Sequence, residues 1–227
     1  MDTKGLPATA VAVFEAISTR RSIGRLTSEC PDRDLVERVI RTTLFAPNHR
    51  HTQPWRFLVL AGDARVRGGE VLERSLVRRL ADPETPSSLE VRQSERTKFL
   101  RAPVIVIVAI EPSNAPNVSL HEEIAAGAAG VQNLLLASHA VGLAAVWRTG
   151  DSVRDESVPT EFGFAPSSVI IGYVYLGYPD PGHVGKPRPD RLPIETTTRW
   201  EGWTQTGHDP TGQTDCRPAP TWSENEV

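Results

Sequence analysis

Apolar residues recur at helical spacing between Ala8 and Thr19, with Val11, Phe14 and Ile17 on one stripe, and this pattern predicts an amphipathic helix running directly into Arg20 and Arg21. A second helix is expected after Pro31. Asp32 and Asp34 stand in its first turn, where acidic groups oppose the helix dipole, and Leu35, Val36, Val39, Ile40 and Leu44 form its buried stripe before Pro47 ends it. Runs rich in β-branched or aromatic residues, bounded by Gly or Pro, predict strands at Trp55 to Leu60, Val104 to Ile110, Leu143 to Trp147 and Val169 to Leu176. Trp55, Phe57 and Val59 are assigned to the core. From His121 to Val141 the chain is apolar on nearly every side, so that helix is expected to be buried. Gly127, Ala128 and Gly130 would let another helix approach it closely, either in the core alone or in the core and across a subunit interface. Strands separated by helices favour parallel crossovers on this pattern alone.

Composition shifts mark the chain's appendages. Residues 81–98, "ADPETPSSLEVRQSERTK", are polar and charged and are expected to form a surface excursion or lid. The chain turns proline-rich after Leu176, and beyond Trp203 it is almost devoid of aliphatic residues. Residues 1–200 are therefore read as one domain, and 201–227 as a tail too polar to order itself unless a partner subunit holds it. A net charge of -3 and a pI near 6.1 give no overall electrostatic footprint for nucleic acid or an anionic membrane. Cys30 and Cys216 lie too far apart in sequence for metal-type spacing or a disulfide framework, which fits a reducing cytoplasm. The run "APVIVIVAI" is too short to span a bilayer, and the N-terminal segment lacks the charge order of a signal peptide, so a soluble cytoplasmic protein is expected.

The chemistry is narrowed by what is missing. No glycine-rich dinucleotide fingerprint follows a strand, no phosphate-binding loop is present, and no Ser or Cys sits in a nucleophile elbow. His49 and His51 have no further ligand cluster nearby, so no metal is expected. What remains are cationic and amide groups at the ends of elements: "TRRS" at 19–22, "NHRHTQ" at 48–53, "WRTG" at 147–150 and "GKPR" at 185–188. Such a set suits a planar ligand carrying a phosphate, with guanidinium groups at the phosphate and a carboxamide such as Gln53 at the edge of a uracil-like ring. The lesser alternative for the arginine pair is that it only offsets the dipole of the first helix.

In order and spacing, "TRRSIGRL", "APNHRHTQPWRFLVL", "GAAGVQNLLLASHAVGLAAVWRTG" and "IIGYVYLGYP" resemble the FMN-dependent nitroreductase family, over roughly residues 8–190. The likeness is greatest to its small bacterial NAD(P)H nitroreductase-like members. It implies an α+β fold: a three-layer α/β/α sandwich with a mainly antiparallel central sheet, in a homodimer with FMN at the subunit interface. On strand direction this overrules the parallel reading. By the same resemblance Arg20, Arg21 and Ser22 grip the phosphate and ribityl chain, Gln53 reads the flavin ring, and His49 reaches a flavin from the neighbouring subunit. Trp147, Arg148 and Thr149 pass the ring, and Lys186 and Arg188 match a pattern that reaches the phosphate in longer members. Many relatives carry Arg or Lys two residues after the serine of the first motif, where this chain has Gly24 followed by Arg25. The activity implied is ping-pong hydride transfer from NADH or NADPH to a nitroaromatic or quinone-like acceptor, with no catalytic side chain singled out. Use of the same site as an oxidase, dehydrogenase or reductive dehalogenase, or for flavin sequestration, stands as the alternative.

Overall fold

The computed structural model describes residues 3–182 and 190–201. Lys186 and Arg188 lie outside the described residues, as do Cys216 and the tail from 202 onward. The chain divides into a unit from Met1 to Gly185 and a second from Lys186 to Val227, whose described part includes a 3-10 turn at Ile194–Thr196.

In the first unit the chain forms helix α1 at Ala8–Thr19, α2 at Arg33–Arg41, strand β1 at Trp55–Ala61, α3 at Ala64–Val77 and α4 at Pro86–Arg96. Then follow β2 at Val104–Ile110, α5 at Leu120–Ala140, β3 at Ala144–Arg148, the short α6 at Val158–Glu161, and β4 at Val169–Gly177. Each expected helix and strand is present within a residue or so, except that α2 tightens into a 3-10 turn at Thr42–Phe45 before Pro47. The four strands form one sheet in the order β1-β2-β4-β3, and every pairing is antiparallel. Parallel crossovers are thus overturned. The consecutive pairs β1–β2 and β3–β4 are antiparallel although helices join them, because each connection brings the chain back to the end of the sheet that it left.

Two apolar layers sandwich the sheet. On one face α2 and α5 cover Val104, Val106, Val108, Ile110, Val174 and Leu176. On the other, α3, α6 and the wedge residue Phe99 cover Ile105, Ile107, Ala109, Tyr173 and Tyr175. β2 is buried at every position, as its unbroken β-branched run requires of a central strand. Ser119 and Glu122 cap α5 reciprocally, and buried Glu123 accepts from the Ser113 backbone N–H at 3.0 Å. No helix among the described residues is long and apolar enough to cross a membrane.

Several expected core positions lie at the surface. No residue of α1 is buried, and Ile17 of its expected stripe is 44% exposed. Leu44 leaves the α2 stripe because the 3-10 turn rotates it outward, and Val59 is exposed because β1 is an edge strand that α5 does not reach. The glycines of α5 serve contacts within the chain. A Cβ on Gly127 would strike Ile110, and one on Gly130 would press on Thr43, so their close neighbours are the sheet and the 3-10 turn and not a second long helix. The polar excursion becomes α4, fastened to α3 by Arg92–Glu73 at 3.1 Å and Arg96–Glu70 at 2.8 Å.

Candidate active site

The first and third motifs meet at the free edge of the sheet. Ser22 forms a parallel bridge with Ala145, and the Ile23 N–H donates to the Ala145 carbonyl at 3.2 Å. That bridge places Arg20, Arg21 and Ser22 beside the start of β3, with Trp147, Arg148 and Thr149 at its far end. Strand alternation turns the peptide groups of Trp147 and Thr149 the same way as that of Ala145, and they have no backbone partner among the described residues.

The side chains of Trp147 and Arg148 go to opposite faces. Trp147 donates its indole N–H to the Ile171 carbonyl at 3.1 Å, and its ring lies over Gly172. A Cβ there would come within 2.1 Å of the indole nitrogen, and Gly172 has a φ of 149°, which only glycine adopts without strain. The glycine inside "IIGYVY" was the available signal for this approach. Arg148 runs along the α3 face, its guanidinium 5.5 Å from the centre of the Tyr175 ring. One of its terminal nitrogens lies where a Cβ on Gly24 would be 2.9 Å away. The space that a side chain at position 24 would claim is therefore held by the Arg148 guanidinium, which comes from β3.

The second motif sits elsewhere. Arg50, His51 and Gln53 all have positive φ, a tight irregular turn that Asn48 pins: its Oδ1 accepts the Gln53 N–H at 3.0 Å and its Nδ2 donates to the Ala46 carbonyl at 3.2 Å. Sequence reasoning gave Asn48 no role, although asparagine before such a turn is a recognisable signal. His49 Nδ1 lies 3.0 Å from Glu122, whose carboxyl is held below its usual range by the Ser119 backbone N–H and hydroxyl and then by His49. This turn leads into β1, and β1 and β3 are the opposite edges of the sheet. Three strand spacings separate them, about 14 Å at roughly 4.8 Å each. One protomer thus joins Arg20, Arg21, Ser22, Trp147, Arg148 and Thr149 but does not bring His49 and Gln53 to them.

Behind Arg148 opens a cavity of about 370 Å³, floored by Leu72, Tyr173 and Tyr175 and walled by Glu95, Lys98 and Arg101 with the segment Val146 to Gly150. Tyr173 shares a 3.0 Å hydrogen bond with Ser152, and burial raises its pKa above the usual phenol value. Burial likewise pushes Tyr175 up to about 12, against the pull of the Arg148 and Arg101 charges.

The sequence profile of the Nitroreductase family matches residues 17–178. The chain belongs to that family. Among its relatives is YdjA of Escherichia coli K12, provisionally named an NAD(P)H nitroreductase, 28% identical over 166 residues that cover 73% of this chain and 87% of YdjA. A Methanothermobacter thermautotrophicus protein, provisionally named an NADH dehydrogenase/NAD(P)H nitroreductase, is 30% identical over 190 residues, 81% of this chain and 86% of its own. A Desulfovibrio desulfuricans nitroreductase-type structure solved in complex with FMN superposes with a TM-score of 0.62 at 26% identity, covering 85% of this chain and 98% of its own.

Proposed function

We propose that this chain is an FMN-dependent oxidoreductase that takes electrons from NADH or NADPH and passes them to nitroaromatic or quinone-like acceptors. The observation that carries the reading is the free edge of β3, with guanidinium and hydroxyl groups at its start and Arg148 at its end. The names of the relatives and the FMN of the Desulfovibrio structure support it.

The donor set fits the group. Arg20, Arg21 and Ser22 offer the charge and hydrogen bonds that a phosphate monoester requires, and the open peptide groups of Trp147 and Thr149 suit the polar edge of a ring. Bound there, FMN supplies two-electron exchange between a reduced nicotinamide and an acceptor. The protein holds and orients it, and Arg148 sets a full positive charge beside the site where reduction adds negative charge. No side chain of the site need act as acid or base, since solvent can supply the proton. Donor and acceptor use one open face in turn. Double-reciprocal plots of NAD(P)H oxidation at several fixed acceptor concentrations are accordingly expected to be parallel, and intersecting lines would reject the single-face scheme.

A second copy completes the site. Val13 and Ile17 of α1, a helix that packs on α5, are exposed by 54% and 44%, and Phe45, at the end of the 3-10 turn just ahead of the second motif, by 84%. Seating Phe45 in a partner would carry the partner's His49 and Gln53 toward the β3 edge, which a single protomer does not do. The free, exposed Cys30 fits a reducing compartment such as the cytoplasm.

Arg148→Ala removes one charge-assisted contact, worth about 1.5–3 kcal/mol. For a two-electron couple that is a drop of roughly 30–60 mV in flavin potential. Hydride transfer is expected to slow with it while FMN affinity falls only modestly. Dye-equilibrated titration checks this, and an unchanged potential would remove Arg148 from its assigned role.

A further inference from the structure

The cavity behind Arg148 holds more positive charge than the flavin reading uses. Lys98 is paired with Glu95. Arg101 and Arg148 make no ion pair among the described residues, and both guanidiniums act on Tyr175. Tyr175 is only 2% exposed, and its hydroxyl has no hydrogen-bond partner among the described residues although its ring is part of the cavity lining. The hydroxyl is not sealed in the core: it opens to the cavity, where it can donate to a bound group. Arg101 is held beside it by design of the chain: it ends the 3-10 turn Lys98–Arg101, whose Phe99 is fully buried against Tyr173 and Tyr175 with ring centres 5.2 and 6.0 Å away. Leu72 and the tyrosine rings give the remaining lining an apolar, flat character.

We propose that this cavity seats an anionic group, a carboxylate or a phosphate ester, on the small molecule that exchanges electrons at the β3 edge. Arg101 supplies the charge, the Tyr175 hydroxyl donates a hydrogen bond, and Arg148 lies between this seat and the flavin position. The inference rests on the flavin reading for the location of the chemistry, but the seat itself is a property of the cavity. It makes the preferred reactants anionic aromatic acceptors such as nitrobenzoates, or else it receives a phosphate of the nicotinamide nucleotide.

The test uses the full chain loaded with FMN, with Arg101→Ala as the main variant, since Arg101 is exposed and its loss leaves the core intact. Tyr175→Phe is the second variant. Benzoate, which is not reducible, is titrated calorimetrically beside benzyl alcohol. Losing one charge-assisted contact is expected to weaken benzoate binding at least about tenfold and leave benzyl alcohol unchanged. In turnover, kcat/KM for 4-nitrobenzoate is expected to fall by a similar factor while that for 4-nitrobenzyl alcohol holds. Slower reduction by NADPH with unchanged reduction by NADH would instead assign the seat to the nucleotide's phosphate, and would support it equally. No discrimination between the charged and neutral member of any pair, with either variant, would overturn the seat. Because benzoate binding needs no electron transfer, that result is distinct from a failure of the flavin to be reduced.

Discussion

Replacing Phe45 with aspartate is expected to leave a folded protomer that neither dimerises nor retains flavin. Phe45 is 84% exposed and its side chain supports no core, so the substitution costs the isolated chain little. In the proposed dimer each Phe45 is buried. Burial of such a side chain is worth about 1.5–3 kcal/mol, and two-fold symmetry counts the loss twice, so association weakens by about 3–6 kcal/mol, or roughly 10²- to 10⁴-fold. Burying the new carboxylate would add to the loss. Sedimentation velocity with detection at the protein and flavin bands reads both consequences at once. A Phe45→Asp protein that stays dimeric and yellow would show that the partner seats on another face and that His49 and Gln53 reach no shared site.

Gly172→Ala is the second large effect, and it acts through the fold. The added methyl would meet the Trp147 indole nitrogen at 2.1 Å and the Arg148 carbonyl at 2.9 Å, at a backbone φ of 149°. The indole is tied to the Ile171 carbonyl and the carbonyl is backbone, so neither yields cheaply. Overpacking and backbone strain each cost about 1–3 kcal/mol, which together approach about 2–6 kcal/mol. The denaturation midpoint is expected to fall by that measure, and because Trp147 and Arg148 are the residues displaced, FMN affinity falls with it. Stability lost with FMN affinity intact would mean that the end of β3 does not contact the cofactor.

The elements were legible in the sequence and their partnership was not. Val104 to Ile110 reads as a buried strand because every residue in it is apolar, and it is one. Nothing in that run states that β4 and not β3 lies beside it, because pairing depends on contacts far apart in sequence, and the antiparallel order came from family resemblance and not from periodicity. Leu44 and Val59 fit apolar stripes yet face outward, since a stripe predicts burial only if another element arrives to cover it. The same blindness hid the incompleteness of the site. The sequence brings Arg148 and Gln53 together in one inventory, while the sheet sets their strands at opposite edges. Gly24 stands where many relatives carry a cation, and only the structure shows that Arg148 fills its space. In sequence, an arginine after a polar excursion and a tyrosine in a strand are ordinary until a cavity joins them, as it joins Arg101 and Tyr175.

The most direct test of the account is the visible spectrum of the FMN-saturated protein under anaerobic addition of NADH and, separately, NADPH. The account predicts that the oxidised flavin bands bleach with at least one donor and return on adding a nitroaromatic or quinone. Bound flavin that stays oxidised with both donors would contradict it.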